Sequence, residues 1–191
     1  MPTYYKFLNK GRIAPYSDWK WPQLKRWTQP IEGKLKECKT GYHLTTAAHL
    51  IDWIAPELYI AGAEGDIIVN GNKIVCRKAR LVERVDTWND KTARLFAAEC
   101  GYHVLPIFEK RYPNDNRPRK ALEMAVDFAN DEAIGKDLAA AGAAARAAAQ
   151  AAARDAAWAA AWAAARAAAW AAEMEWQSQR LVELLRLEGQ I

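Results

Sequence analysis

The sequence lacks the short motifs by which many enzymes are recognised. It has no phosphate-binding loop, no G-x-G-x-x-G for a dinucleotide and no G-x-S-x-G around a nucleophilic serine. Cysteine is scarce too: three residues without framework spacing, which favours a reducing compartment. We therefore expect a cytoplasmic protein that needs no cofactor, and a binding protein rather than an enzyme.

Long uninterrupted hydrophobic stretches are also missing. The first ten residues hold no apolar segment of signal-peptide length, so secretion by that route is not expected. The alanine-rich run at 139–172 is long enough to cross a bilayer, but Arg146, Arg154, Asp155 and Arg166 interrupt it. Each charge at mid-bilayer costs about 2.5–3.5 kcal/mol, so we expect no membrane partner.

Neither sign of charge is in large excess, because 27 Lys and Arg stand against 23 Asp and Glu. The first forty residues, however, carry nine basic and three acidic side chains, interleaved with tryptophan. Proteins bind single-stranded nucleic acid by combining basic side chains with aromatic rings on which the bases stack, so nucleic acid is a candidate partner. The candidate contacts are Lys20, Lys25, Arg26, Trp19 and Trp21. Alternatively, the tryptophans lie beside prolines to pin this loop onto a core.

What the sequence has in abundance is alanine, at 25 of the 34 positions from 139 to 172. Alanine is the best helix former, so this run is predicted to be helical. Large residues recur at nearly every fourth position, and a helix turns about 100° per residue, so the stripe drifts about 40° per step. The sequence therefore predicts either several shorter helices or one long helix surrounded by neighbours.

The large residues in this run allow more than one interpretation. Trp158, Trp162 and Trp170 could fill core space that alanine leaves, or form a contact surface, because exposed aromatics are common binding anchors. In the second case Arg154 and Arg166 would pair with carboxylates of a protein partner. Stacking on bases or on a nucleotide is a third alternative.

The chain changes character near Trp88, which sets the predicted fold class. Before it, a helix at 47–54 and the hairpin signal Asn70-Gly71-Asn72 accompany strand-like segments. The strand-like segments that follow the predicted helix are 57–61, 66–69, 73–77 and 79–85. A turn is predicted at 62–65. We predict an α+β protein: a small antiparallel sheet with one helix in residues 1–87, then an alanine-rich α-helical bundle or long helices in residues 88–191.

One cysteine–histidine spacing invites a test for metal binding or catalysis. Cys38 precedes His43 by five residues, and His49 follows. Structural zinc sites usually show two close ligand pairs, and the second pair is missing here. We therefore expect a buried, hydrogen-bonded histidine rather than a metal site, and no catalytic Cys–His couple.

The first half of the chain carries three short sequence motifs in a fixed order. It opens with a Tyr-Lys-Phe strand, followed by Cys-x-x-Gly-aromatic-His at 38–43 and Asn-Lys-Ile-Val-Cys at 72–76. In these motifs residues 3–86 resemble an uncharacterised domain family of phages and bacteria, which implies a fold and no activity. The step from 41–46 into a helix is also similar to ADP-ribosyltransferase-like domains, for which Glu83 would be the nominated glutamate.

The second half carries three further segments, at 95–100, 104–109 and 115–123, before the alanine-rich run. In these it resembles helical immunity proteins of bacterial polymorphic-toxin systems, although a tryptophan ladder replaces the small and histidine-bearing repeats of that family. The resemblance implies a stoichiometric inhibitor that binds and blocks a toxin.

These observations lead to one functional prediction and two alternatives. We expect a non-enzymatic macromolecule-binding protein, either of immunity type or a phage-encoded inhibitor, that blocks a bacterial toxin or a defence protein of CRISPR type. The alternatives are an ADP-ribosyltransferase-like enzyme and a nucleic-acid-binding protein. The partner is expected to be a protein.

Overall fold

The structure is a computed structural model of the 191-residue chain. It describes residues 3–130 and 163–186, with only the backbone described for 163–169. The predicted α+β class is confirmed: an antiparallel sheet and a short 3-10 helix are followed by long α-helices. The alanine-rich positions before Ala163 lie outside the described residues, and those from Ala163 onward are helical.

The sheet has four strands in the order β1-β3-β4-β2, and every neighbouring pair is antiparallel. Its strands are β1 (Tyr4–Leu8), β2 (Tyr42–Leu44), β3 (Glu57–Asn70) and β4 (Lys73–Arg84). Gly71, with φ of 55°, closes the predicted hairpin between β3 and β4. A left-handed backbone is accessible to glycine at little cost, which is why this turn is readable from sequence.

The turn predicted at 62–65 is wrong, because β3 continues through these residues as one strand. Gly65 has φ of 83°, and the pairing with β4 shifts register between Glu64 and Ile67. An extra residue in one strand is accommodated as a β-bulge, which uses the same left-handed glycine as a turn. The glycine therefore bends the strand without ending it.

The sheet core is made of residues from the strands and from the loop after β1. Its cluster is Leu8, Trp21, Leu44, Tyr59, Ala61, Ile74, Cys76, Ala79 and Leu81. The loop follows the outer edge of β4, where the backbone N–H groups of Lys25, Thr28 and Ile31 donate to β4 carbonyls. The aromatic-rich loop is thus attached to the sheet by backbone hydrogen bonds as well as by Trp21.

Helical elements make up the rest of the described chain. The 3-10 helix Ala47–Trp53 replaces the predicted helix at 47–54, and α1 (Asp90–Arg111), α2 (Arg117–Ala129) and α3 (Ala163–Leu184) follow. In α1, Gly101 faces α2, and a Cβ built there would lie 2.5 Å from Leu122 Cδ2. Its missing side chain lets the two helices approach closely.

The chain divides into two compact units: residues 1–89 with 174–191, and residues 90–173. The end of α3 thus belongs to the first unit, where Leu181, Val182 and Leu185 are buried. Ser178 Oγ donates a hydrogen bond of 2.6 Å to the Ala48 carbonyl in the same unit. The predicted division into 1–87 and 88–191 stays a prediction. In the described part of the chain, no helix combines the length and apolarity that membrane crossing requires.

Candidate functional site

A cavity of about 610 Å³ lies in the first unit, beside β1 and β2. Four basic residues line it: Lys6, Lys39, His43 and Lys73. Its aromatic lining residues are Tyr5, Phe7, Tyr16 and Trp53. Among the described residues that line it, none is Asp or Glu. Cavities of this volume are typical of small-molecule sites, which makes it a candidate site.

Lys6 of β1 is the most unusual of these side chains. It is half-buried, and its Nζ lies 5.7 Å from the centroid of the Trp21 ring. Burial, which disfavours the charged form, lowers the pKa of Lys6 to about 8. Its ammonium group therefore stays mostly protonated at pH 7, but it loses its proton at a pH well below 10.5, the ordinary pKa of lysine.

Lys73, at the start of β4, has a partner that Lys6 does not have. Its Nζ donates to Glu37 Oε1 at 2.7 Å and lies 3.5 Å from the Cys38 sulfur. These hydrogen bonds hold the pKa of Glu37 below its ordinary value and raise the pKa of Lys73. Asn70 donates a further short hydrogen bond to the same carboxylate. The Glu37 carboxylate, close to the cavity, thus already accepts hydrogen bonds from Lys73 and Asn70.

His43 of β2 is fixed by the backbone of the preceding loop. Its Nε2 accepts a hydrogen bond of 3.0 Å from the Cys38 N–H, so it does not pair with the Cys38 thiol. Burial first, and then the charges of Lys6 and Lys73, lower the pKa of His43. The imidazole is therefore mostly neutral at pH 7. The histidine is hydrogen-bonded as the spacing predicted, but it is half-buried rather than buried.

The structure describes no metal-binding arrangement around this histidine. Across residues 3–130 and 163–186, no group of three or more His, Cys, Asp or Glu side chains could hold a metal ion. His49 lies in the 3-10 helix, with its Nδ1 3.6 Å from Asp52 Oδ2. Glu83, the glutamate nominated for ADP-ribosyl transfer, is exposed on β4 opposite Ile60.

The predicted nucleic-acid contacts occupy unlike environments. Trp21 is 3% exposed and has no free face for a base, whereas Trp19 is 42% exposed. Trp19 packs edge-on against Trp21 with ring centroids 5.3 Å apart, and it also contacts Tyr42. Lys20, Lys25 and Arg26 are exposed. Nucleic-acid binding by this loop stays a prediction, with Trp19 as the aromatic residue that has free surface.

The predicted protein-binding residues are described only in part. Trp158, Trp162 and Arg154 lie outside the described residues, and Arg166 lies in α3 where only the backbone is described. Trp170 of α3 is described, and it is 68% exposed. Of the five residues, it is therefore the one whose side chain the structure shows available for contact.

Two apolar residues of α1 were not predicted as surface residues. Val104 is 40% exposed and Ile107 is 76% exposed, and they lie three positions apart on one face of the helix. The signal in the sequence was that polar and apolar residues are mixed around α1, so that the helix has no single apolar side. A helix of that kind cannot bury all of its apolar residues against one neighbour and leaves some of them in solvent.

The described part of the second unit is thus helical and carries exposed apolar side chains. A family model described as Imm-5 like putative immunity protein matches residues 84–181, just over half of the chain. The chain belongs to this family, which confirms the resemblance of the second half to immunity proteins. No curated protein and no solved structure matches the chain. The resemblance of residues 3–86 to a phage and bacterial domain stays a prediction.

Proposed function

We propose that this chain is an immunity protein that binds a bacterial toxin protein and blocks it by occupying its surface. The observation that carries the proposal is the family match over residues 84–181, which covers α1, α2 and most of α3. A protein that protects by stoichiometric binding needs an exposed contact surface and no catalytic centre of its own. The helical unit supplies exposed apolar groups of the required kind.

The proposed contact surface is centred on Trp170. Binding energy at protein interfaces is concentrated in a few residues, and tryptophan is the most enriched residue type among them. At 68% exposure the indole leaves most of its surface available for a partner. Trp158, Trp162, Arg154 and Arg166 remain proposed members of this surface.

Val104 and Ile107 provide a second apolar patch in the same unit. Surface hydrophobic residues are common one at a time, but an adjacent pair with Ile107 at 76% exposure is the kind of feature that marks contact sites. We propose that these α1 residues take part in binding, by apolar contact with the toxin.

The test is protection of cells that co-express this chain with candidate toxins, beginning with toxin genes found next to its own gene. Wild type should restore growth during co-expression, and purified toxin should bind it in solution. Replacing Trp170 by alanine should weaken that binding by about thirtyfold, as expected for a hot-spot residue worth about 2 kcal/mol. Because the side chain is mostly exposed, thermal stability should be nearly unchanged.

Tyr16→Ala is the matched control, since Tyr16 is 85% exposed but lies in the other unit. It should leave protection intact. Protection that survives Trp170→Ala would refute the proposed surface, and absence of any protection by wild type would refute the proposed toxin partner. Binding to a bacterial defence protein without protection from toxin would support the phage-inhibitor alternative instead.

A further inference from the structure

We propose that the cavity beside β1 and β2 binds a small organic phosphate with an aromatic ring, the chemical class of a nucleoside monophosphate. The first support is the sign of its lining charges. Lys6, Lys39 and Lys73 line the cavity, and the described lining residues include no carboxylate. The nearby Glu37 is already hydrogen-bonded to Lys73 and Asn70. The cavity therefore has a surplus of positive charge.

Lys6 provides the second support. Among the described residues its ammonium group has no ion pair or hydrogen bond, and it lies over the ring of Trp21. Cys76 interacts with it electrostatically, but burial raises the pKa of that thiol to about 11, so the sulfur is neutral at pH 7. His43 is neutral as well. An unpaired, partly buried cation is costly, and a bound anion would compensate it.

The aromatic wall of the cavity supplies the rest of the specificity. Tyr16, which is 85% exposed, and the half-buried Trp53 line it together with Lys6. Phe7 also lines the cavity, but its ring is 2% exposed and packs against Trp88, so it offers no face for stacking. The Trp53 indole is fixed by a hydrogen bond of 3.2 Å from its Nε1 to the Asn72 carbonyl. Flat aromatic surfaces next to a cationic group suit a ring that carries a phosphate, because the ring can stack while the anion meets the ammonium. The cavity has ample volume for a molecule of this size.

The inference goes beyond the toxin-binding function, because the cavity lies in the first unit and its lining residues precede the family match. Its failure can also be distinguished from failure of that function. Lys6→Met should retain protection from toxin even when it has lost the small ligand.

The experiment is titration calorimetry of the full chain with adenosine monophosphate, inorganic phosphate and inorganic sulfate at pH 7. We expect adenosine monophosphate to bind more tightly than phosphate. Lys6→Met, which retains an apolar stem, should weaken binding by about tenfold or more, since a charged hydrogen bond is lost. Lys20→Met removes the same charge from an exposed position outside the cavity and should have little effect.

The pH dependence of sulfate binding is a second readout, because sulfate keeps its charge between pH 7 and 9.5. Wild-type affinity should fall as Lys6 loses its proton above about pH 8. Lys73, whose pKa is raised, keeps its charge over this range. Lys6→Met should lack this fall. No binding by folded wild type, equal losses in both lysine variants, or adenosine monophosphate no tighter than phosphate would overturn the assignment.

Discussion

Replacing Lys6 by methionine should stabilise the protein, and by more at pH 7 than at pH 10. The side chain has its ordinary pKa of 10.5 when unfolded and a pKa of about 8 when folded. The difference of about 2.5 units corresponds to about 3 kcal/mol by which the folded state is destabilised while Lys6 is charged. Methionine removes the charge and keeps most of the apolar stem.

The sign follows from proton binding. Between the folded and unfolded pKa values the unfolded state holds more protons at Lys6, so this group makes wild type more stable as pH rises from about 8 to 10.5. Cys76 and Tyr59 act in the opposite direction, because their folded pKa values are raised to about 11 and about 12. Comparison with Lys6→Met at each pH removes most of that contribution, since both proteins retain Cys76 and Tyr59.

The assay is urea unfolding of both proteins at pH 7 and pH 10, in chloride buffers free of phosphate and sulfate. The advantage of Lys6→Met should shrink from about 3 kcal/mol at pH 7 to about 1 kcal/mol at pH 10, because the folded state has then lost the Lys6 proton while most of the unfolded chain still holds it. An advantage that stays the same at both pH values would show that Lys6 is well solvated, and the argument from its burial would be refuted.

Further predictions concern the loops around the cavity. Gly41→Ala should cost about 1–3 kcal/mol, measured by urea unfolding, because Gly41 has φ of 136° and a Cβ there would overlap Val75. Gly71→Ala is its control, with positive φ but no neighbour within 4 Å, and should cost only about 1 kcal/mol; equal losses would contradict the overlap. Trp21→Ala should lower the unfolding free energy by about 3–5 kcal/mol, because Trp21 is 3% exposed. Trp19→Ala, at 42% exposure, should cost clearly less, and the reverse order would contradict the assigned burial.

The sequence predicted those parts of the fold whose signals are local. Asn70-Gly71-Asn72 predicted the hairpin because the turn needs left-handed residues. The same chemistry misled at Gly65, since a bulge and a turn both use glycine with positive φ. Only pairing with β4 distinguishes them. That pairing depends on β4 residues distant from Gly65 in the sequence, so the residues around Gly65 alone could not predict a continuous strand.

The candidate cavity was beyond sequence reasoning for a related reason. Lys6, His43 and Lys73 come from three strands and lie far apart in the chain. The spacing of Cys38 and His43 drew attention to the right loop; of the buried, hydrogen-bonded histidine that it predicted, the hydrogen bond is present, but the side chain is only half-buried. No local pattern, however, indicates that Lys6 has no counter-ion in the part of the chain that the structure describes. That property depends on which side chains the sheet brings around it.

The end of α3 determines which form of the protein should be used in these experiments. Leu181, Val182 and Leu185 are at most 3% exposed, and they belong to the unit that contains the sheet. A fragment beginning at residue 88 would contain these side chains without residues 1–87, so each would lose burial worth about 1.5–3 kcal/mol. Loss of toxin binding by such a fragment would therefore report unfolding or aggregation as readily as a missing contact. Point substitutions in the full chain, at Trp170 and Lys6, separate the two functions without exposing that apolar surface.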